Sequence, residues 1–250
     1  MNHRPDIPCA TWNVHRVVGR DGRADPSRVL DALARHIVPL GPRVLALQEA
    51  DADDPPHGAL FDMDRLAQTT GLHSVHDPDD MRWGAESGGF LGNILLLDPA
   101  MEIRTRRIVT LPGRCPRAAI FVETVTDGVP LRFVSCHLSL SQLLRARQLR
   151  VVAQAVRRGA PMQTILLGDL NEWRPWGGLA LSSPVVGIAF SGPVRRTFPM
   201  SLPLLPLDRI LSQPGVTFRD AHAVDGIAIR AASDHRPLFA RVGRFAEASR

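Results

Sequence analysis

The chain of 250 residues is 44% hydrophobic and 22% charged, which provides enough apolar material for a large core and excludes global disorder. Its formal net charge is +5, and every basic side chain apart from histidine is arginine, because the sequence contains no lysine. A basic balance can attract polyanions or anionic membrane surfaces, but so uniform an arginine bias is typical of genome composition and says little about function.

Three cysteines without CxxC spacing do not form a disulfide framework or a recognisable zinc site. The N-terminal segment lacks the apolar core of a signal peptide, and no segment is long and apolar enough to span a bilayer. We therefore expect a cytoplasmic monomer. We expect one domain over residues 1–250, with the last few residues forming a loose tail.

The first fifth of the chain predicts a strand, a helix and a second strand. The run "CATWNV" is typical of a strand that ends at Asn13. Asp25 followed by Pro26 indicates a helix N-cap with proline in the first turn, and apolar residues then recur at helical spacing as far as Gly41. The next apolar run, "RVLALQE", closes on Glu49.

The middle of the chain combines short helices with strands. A helix is predicted around 63–70, followed by the strand "GNILLLD". Asp127-Gly128 lies between two apolar runs and indicates a tight hairpin, whose second strand ends at His137. A helix from Leu143 to Gly159 then leads to "TILLGDLN", a buried strand interrupted by Gly168.

The last third, from Pro175, is rich in Gly and Pro and shows little periodicity. "VTFRDAHAV", "LDRIL" and "RPLFARV" predict short strands near its end. A strand-rich order with hairpins and a few helices favours an α/β sandwich with mixed sheets.

Polar residues occur at the edges of these apolar runs. They are Asn13, Glu49, His137, Asp169, Asn171, Asp208, Asp234 and His235. Carboxylate and amide oxygens are hard ligands that suit Mg²⁺ or Mn²⁺ rather than zinc, and histidines supply proton transfer. If these edges converge, the combination indicates metal-assisted phosphoester hydrolysis.

The motifs, taken together, resemble the endonuclease/exonuclease/phosphatase superfamily, whose fold is also called deoxyribonuclease-I-like. The resemblance rests on segments in the family's order: "TWNVH", "LQEAD", "GNILLLD", "CHLS" with "RARQL", "GDLNEW", "TFP", "PLDRIL" and "SDHRPLFA". One such segment alone is weak, but the full set covers nearly the whole chain. The "TFP" and "PLDRIL" segments are similar to those of small bacterial members. The resemblance implies a four-layer α/β sandwich of two mixed β-sheets flanked by helices.

The resemblance also implies roles for individual residues. Asn13, Glu49 and Asp234 correspond to metal ligands for Mg²⁺, with Mn²⁺ as a possible substitute. Asp169 and Asn171 correspond to residues that position water and the scissile phosphate. The remaining catalytic positions are His235, oriented by Asp208, and His137. The general base is left open between Asp169 and His235, and we predict a direct contact between Asp208 and His235.

Several assignments have a structural alternative. Asn93 could contact phosphate or anchor a neighbouring loop, and Arg114 and Arg117 could bind substrate or lie in solvent. Trp173 and Trp176 could line the substrate edge, where they would stack on a base or lie against lipid.

We therefore expect a divalent-metal-dependent phosphoester hydrolase, most simply a phosphodiesterase. Its substrate is undecided between nucleic acid and a phospholipid or small-molecule phosphoester. An alternative is a catalytically silent family member that binds an anionic ligand or partner. The full set of acids disfavours that alternative, since acids without a metal repel one another. A basic groove with stacking aromatics would favour nucleic acid, and an apolar lip would favour lipid.

Overall fold

The computed structural model describes residues 5–245, and this part of the chain forms eleven strands and five α-helices. The strands are β1 Ile7–Asn13, β2 Val44–Gln48, β3 His73–Ser74, β4 Ile94–Leu97, β5 Glu102–Leu111, β6 Arg117–Thr126, β7 Val129–Cys136, β8 Gln163–Asp169, β9 Asp208–Ser212, β10 Phe218–Ala223 and β11 Leu238–Val242. The helices are α1 Pro26–Ala32, α2 Met63–Thr70, α3 Gln142–Arg158, α4 Ser183–Val186 and α5 Ile227–Ala232. The tail predicted for the last few residues, 246–250, lies outside the described residues. Within them, no helix has both the length and the apolar character needed to cross a lipid bilayer.

The strands form two mixed sheets that pack face to face. One sheet has the order β10-β11-β1-β2-β4-β3 and the other has the order β5-β6-β7-β8-β9. Parallel pairing joins β1 to β2 and β7 to β8, and their other neighbours are antiparallel. Because side chains alternate along a strand, Ile165 and Leu167 of β8 face the opposite sheet while Leu166 faces the helices.

Helices cover both outer faces of this pair of sheets. Helices α1, α2 and α5 pack on the six-stranded sheet, and α3 and α4 pack on the five-stranded sheet. The start of α1 follows the sequence signal: the Asp25 side chain accepts a hydrogen bond from the Ser27 N–H, and Pro26 occupies the first helical position. The predicted four-layer α/β sandwich is therefore confirmed.

Strand direction brings many strand ends to one edge of the sandwich, which we call the rim. The parallel pairs place the carboxyl ends of β1 and β2, and of β7 and β8, at the same edge of their sheets. Antiparallel pairing brings the start of β9 beside the end of β8, where Asp208 pairs with Asp169. The starts of β4, β6 and β11 reach this edge in the same way. The strand ends of the rim carry Asn13, Glu49, Asn93, Arg117, His137, Asp169, Asp208 and His235.

Special backbone conformations occur where strands end at the rim. Gly168 has φ +141°, and a Cβ at that position would lie 1.9 Å from the carbonyl oxygen of Cys136. Only glycine permits this close approach of β8 to β7. Glu49 and Asn171 adopt left-handed conformations with φ 55° and 52°, which turn the chain directly after a strand.

Candidate active site

Asp169 lies at the centre of the site, where the two sheets meet. Its Oδ2 accepts a hydrogen bond from Asn13 Nδ2 at 3.0 Å, and its Oδ1 accepts one from the Asn171 backbone N–H at 2.8 Å. The same Oδ2 lies 3.5 Å from His137 Nε2 and 3.9 Å from His235 Nε2. One buried carboxylate therefore joins four of the predicted site residues, which come from both sheets.

His235 makes the predicted contact with Asp208. Its Nδ1 lies 2.9 Å from Asp208 Oδ2, and both side chains are buried. Its backbone is held as well, because Trp12 Nε1 donates to its carbonyl and its N–H donates to Ser233 Oγ. Burial alone would lower the pKa of His235, but the charge of Asp208, the hydrogen bond to it and the charge of Asp169 raise that pKa to about 10. The imidazole is therefore a cation at neutral pH.

His137, in contrast to His235, is neutral. Burial lowers its pKa, against the attraction of Asp169, and the positive charges of Arg117 and His235 lower it further, to about 3. The ring is therefore neutral at physiological pH. Two buried imidazoles, one charged and one neutral, therefore approach the same oxygen of Asp169.

The predicted metal ligands include oxygens without hydrogen bonds. Asn13 Nδ2 donates to Glu49 Oε1 at 3.1 Å, whereas the buried Glu49 Oε2 accepts no hydrogen bond in the described part of the chain. Arg16 Nη1 lies 3.2 Å from that oxygen without hydrogen-bonding geometry. Asp234 Oδ1 is likewise buried without a hydrogen bond among these residues, 3.8 Å from His15 Nδ1. Buried acidic oxygens without donors are costly, and a divalent cation would satisfy them.

A second group of possible ligands lies beside the first. Asp169, Asp208 and His235 bring ligand atoms within 4.8 Å of one another. However, His235 uses Nδ1 to contact Asp208 and is positively charged, which opposes a cation there. Asn13, Glu49 and Asp234 offer only oxygens, the donor type that Mg²⁺ prefers, and Asn13 and Glu49 are in direct contact.

The three residues predicted to contact the substrate, Asn93, Arg114 and Arg117, have different surroundings in the structure. Asn93 anchors its own loop, because its Nδ2 donates to the carbonyls of Phe90 and Leu91, while its buried Oδ1 has no partner in the described region. Arg117 is half-buried at the start of β6, and its charge acts on His137. Arg114 is exposed in the turn before β6, and no contact described for it reaches the centre.

A buried ionic network behind the site was not predicted. Glu172 is fully buried, and its carboxylate accepts hydrogen bonds from Arg145 Nη2 at 3.1 Å and Arg174 Nη1 at 2.8 Å. Arg145 comes from the buried face of α3, beside Ala146 and Leu149. The sequence signal that could have revealed this network is the position of Arg145 among core-facing residues at helical spacing, because a buried charge requires a partner.

Comparisons with known families and proteins identify the family of the chain. Residues 10–235 match the Endonuclease/Exonuclease/phosphatase family. Among curated proteins, the uncharacterized protein YbhP of Escherichia coli (strain K12) is 29% identical over 164 residues, which cover 62% of this chain and 63% of that protein. The chain thus spans less than two thirds of the length of that relative.

Solved structures show the same fold over nearly the whole chain. The endonuclease/exonuclease/phosphatase from Beutenbergia cavernae DSM 12333 has a TM-score of 0.70 and 21% identity, covering 96% of this chain and 72% of that one. The human Nocturnin catalytic domain with bound sulfate anion also has a TM-score of 0.70, with 19% identity, covering 98% of this chain and 97% of that one. At these identities the likeness shows the fold. Proteins of the matched family are generally hydrolases of phosphoester bonds. Because the family match extends over residues 10–235, the chain belongs to the endonuclease/exonuclease/phosphatase family.

Proposed function

We propose that the chain is a Mg²⁺-dependent phosphodiesterase, that Mn²⁺ can replace Mg²⁺, and that the rim is its active site. The observation that carries the proposal is the approach of two buried imidazoles to one oxygen of Asp169, with Asp208 in contact with the other ring nitrogen of His235. A fixed cation and a neutral hydrogen-bond donor suit a reaction in which phosphoryl and leaving oxygens gain negative charge. Membership of a family of phosphoester hydrolases supports the same chemistry.

Asn13, Glu49 and Asp234 would hold the divalent cation. Glu49 and Asp234 each have a buried oxygen without a hydrogen bond in the described region. Asn13 Oδ1 accepts one hydrogen bond, from the His15 N–H, and a carbonyl oxygen has a second lone pair. When bound, the cation would act as a Lewis acid that neutralises charge on a phosphoryl oxygen.

Asp169 is the better candidate for accepting a proton from the attacking water. Asn13 and the Asn171 N–H hold its carboxylate in place, whereas His235 already carries a proton at neutral pH. His235 instead donates from Nε2 to a phosphoryl oxygen, since Asp208 occupies Nδ1. The neutral His137 donates to the leaving oxygen or to the phosphate.

The alternative is a catalytically silent protein that binds an anion at the same rim. The acids disfavour this alternative, because Glu49, Asp169 and Asp234 would repel an anionic ligand unless a cation neutralised them. An anion-binding protein would not need these three carboxylates together.

The proposal is tested with a soluble aryl diester, bis(4-nitrophenyl) phosphate, in the presence of Mg²⁺, Mn²⁺ or chelator. We expect turnover with either cation and none with chelator. The variant His235→Ala should lose about 10²-fold or more in kcat, because one positioned proton donor contributes at least that factor. The control His73→Ala changes an exposed histidine on β3 and should keep the wild-type rate. Hydrolysis that survives chelation, or near-normal turnover of His235→Ala, would contradict the proposal, and anion binding without hydrolysis would favour the silent alternative.

A further inference from the structure

Large apolar side chains are concentrated on one side of the rim. Ten large hydrophobic side chains are exposed in the described part of the chain, and six of them lie on the three segments 138–143, 172–177 and 198–206. These six, which we call the apolar lip, are Leu140, Leu143, Trp173, Trp176, Leu202 and Leu204. Leu140 and Trp176 are 81% and 75% exposed. Single exposed leucines are ordinary on a protein surface, but a concentration beside a site marks an interaction surface.

Each segment of the apolar lip is connected directly to the proposed catalytic residues. Segment 138–143 follows His137, and segment 172–177 follows Asn171. Segment 198–206 begins at Phe198, whose ring centroid lies 4.8 Å from that of His235, and it leads into Asp208. Each of the three segments therefore begins or ends within two residues of a proposed catalytic residue.

Two buried arginines hold the three segments together. Arg145 donates to the Leu140 carbonyl at 2.5 Å and to Glu172 Oε2 at 3.1 Å, which joins the first segment to the second. Arg209 donates to the carbonyls of Glu172 and Pro206, which joins the second segment to the third. Hydrogen bonds from these two buried arginines therefore fix the backbone that carries the exposed apolar side chains.

Arginines lie on or next to each segment of the apolar lip. Arg174 lies over the ring of exposed Trp173, and Arg195 and Arg196 are exposed just before segment 198–206. On α3, exposed Arg147 follows Leu143 by four residues, so the two share one face of the helix. Apolar side chains beside arginines are complementary to an anionic lipid surface.

The composition of the lip distinguishes a lipid from a nucleic acid. Four of its six members are leucines, which offer no ring for stacking on a base. One face of the Trp173 ring is already occupied by the Arg174 guanidinium, 4.2 Å from the ring centroid. Leucine and tryptophan next to arginine are typical of side chains that enter the boundary between head groups and acyl chains.

We propose that the apolar lip docks on an anionic phospholipid bilayer and that the substrate is the phosphodiester of a lipid head group. The docking stands on the exposed side chains and the charge around them, whereas the choice of substrate rests on the proposed function. Docking would place a head-group phosphate at the rim while the acyl chains stay in the membrane.

Binding is measured first, in chelator, so that no turnover is involved. The probes are vesicles of phosphatidylcholine alone and vesicles that also contain phosphatidylglycerol, separated from free protein by flotation. The test variant is Leu140→Ser with Leu202→Ser, and the control is Ile227→Ser, which changes a side chain that is 89% exposed on α5, outside the three segments of the lip. Wild type and control should bind the phosphatidylglycerol vesicles, and the test variant should bind them at least about tenfold more weakly.

Hydrolysis is measured next with Mg²⁺, on the same vesicles and on bis(4-nitrophenyl) phosphate. The test variant should lose head-group release by about the factor lost in binding and keep the wild-type rate on the soluble diester. Wild type that binds neither vesicle, or a test variant that binds as well as wild type, would overturn the docking surface. Preferential cleavage of a single-stranded oligonucleotide with no release from vesicles would overturn the lipid substrate. Vesicle binding without hydrolysis of any diester would count against the proposed function and leave the docking surface supported.

Discussion

The buried network of Glu172 provides a test of how the rim is built. Glu172 is fully enclosed, with its two oxygens accepting from Arg145 and Arg174, and the Arg145 side chain is 1% exposed. The substitution Glu172→Gln keeps the shape but places an amide N–H₂ against a guanidinium. It therefore leaves Arg145 charged and buried without a counter-ion. The exposed pair Glu102–Arg104, whose side chains are 59% and 57% exposed, provides the control Glu102→Gln.

The two substitutions should differ by about 2.5 kcal/mol in the free energy of unfolding that they cost. Removing one partner of a buried ion pair costs about 3–5 kcal/mol, and because glutamine keeps one acceptor we expect about 3 kcal/mol for Glu172→Gln. Loss of the exposed pair should cost no more than about 0.5 kcal/mol. Urea denaturation gives both values, and thermal unfolding should show a Tm lower by about 6–12 °C for Glu172→Gln. A free energy of unfolding for Glu172→Gln within about 1 kcal/mol of wild type, at an unchanged m-value, would refute the structural role of the network.

Three further predictions concern the Asp208–His235 pair, which we call the dyad, the close approach of Gly168 to β7 and a buried histidine. Asp208→Asn should lower the pKa of His235, measured by NMR titration, and reduce kcat by about 10²–10⁴-fold, because the cationic ring loses its partner; an unchanged titration would contradict the dyad. Gly168→Ala should destabilise the fold by about 2 kcal/mol or more, since its Cβ would meet the carbonyl of β7, whereas Gly128→Ala at the open hairpin turn, where φ is 76°, should cost only about 1 kcal/mol. His76 is buried and its pKa is lowered from 6.5 to about 4 by burial, so its contribution to stability is fully present above pH 6.5 and is lost as the pH falls towards 4. Over that pH range, the free energy of unfolding of wild type should therefore fall by roughly 3 kcal/mol more than that of His76→Gln, as measured by urea denaturation at several pH values. Parallel curves of unfolding free energy against pH for the two proteins would contradict this prediction.

Local sequence signals were sufficient to predict where a strand ends when an apolar run stops at a polar residue. Asn13 and Asp169 close their strands in the structure, and Glu49 and His137 follow theirs directly. The hairpin predicted at Asp127-Gly128 connects β6 to β7. These features depend on residues close in the chain, so the sequence displays them. Their catalytic roles stay predictions until the variants are measured.

Other features depend on partners that are distant in the chain. The helical spacing of α3 places Arg145 on its buried face, but nothing local identifies Glu172, 27 residues later, as its partner. Arg16 lies 3.2 Å from Glu49 Oε2 because residues 15–17 adopt left-handed conformations, which their side chains do not favour. A contact of this kind follows from tertiary packing and overrides local preference.

The Gly- and Pro-rich segment from Pro175 to Leu207 could not be interpreted from sequence for a related reason. It contains one helix of four residues, α4, and otherwise turns and irregular backbone. Its position depends on hydrogen bonds such as that from Arg209 to the carbonyl of Pro206. The choice between a basic groove and an apolar lip therefore required the structure, since the deciding side chains include Trp176, Leu202 and Leu204 on this segment.

A cation titration of phosphodiester hydrolysis tests whether Glu49 holds the divalent cation and His235 acts on the phosphate. Initial rates on bis(4-nitrophenyl) phosphate are measured against free Mg²⁺ for wild type, Glu49→Gln and His235→Ala. We expect saturable activation of wild type and a half-saturating Mg²⁺ concentration at least about tenfold higher for Glu49→Gln. His235→Ala should reach a far lower plateau at a half-saturating concentration close to that of wild type. Full activity of wild type in chelator, or superimposable Mg²⁺ curves for wild type and Glu49→Gln, would contradict this role for Glu49.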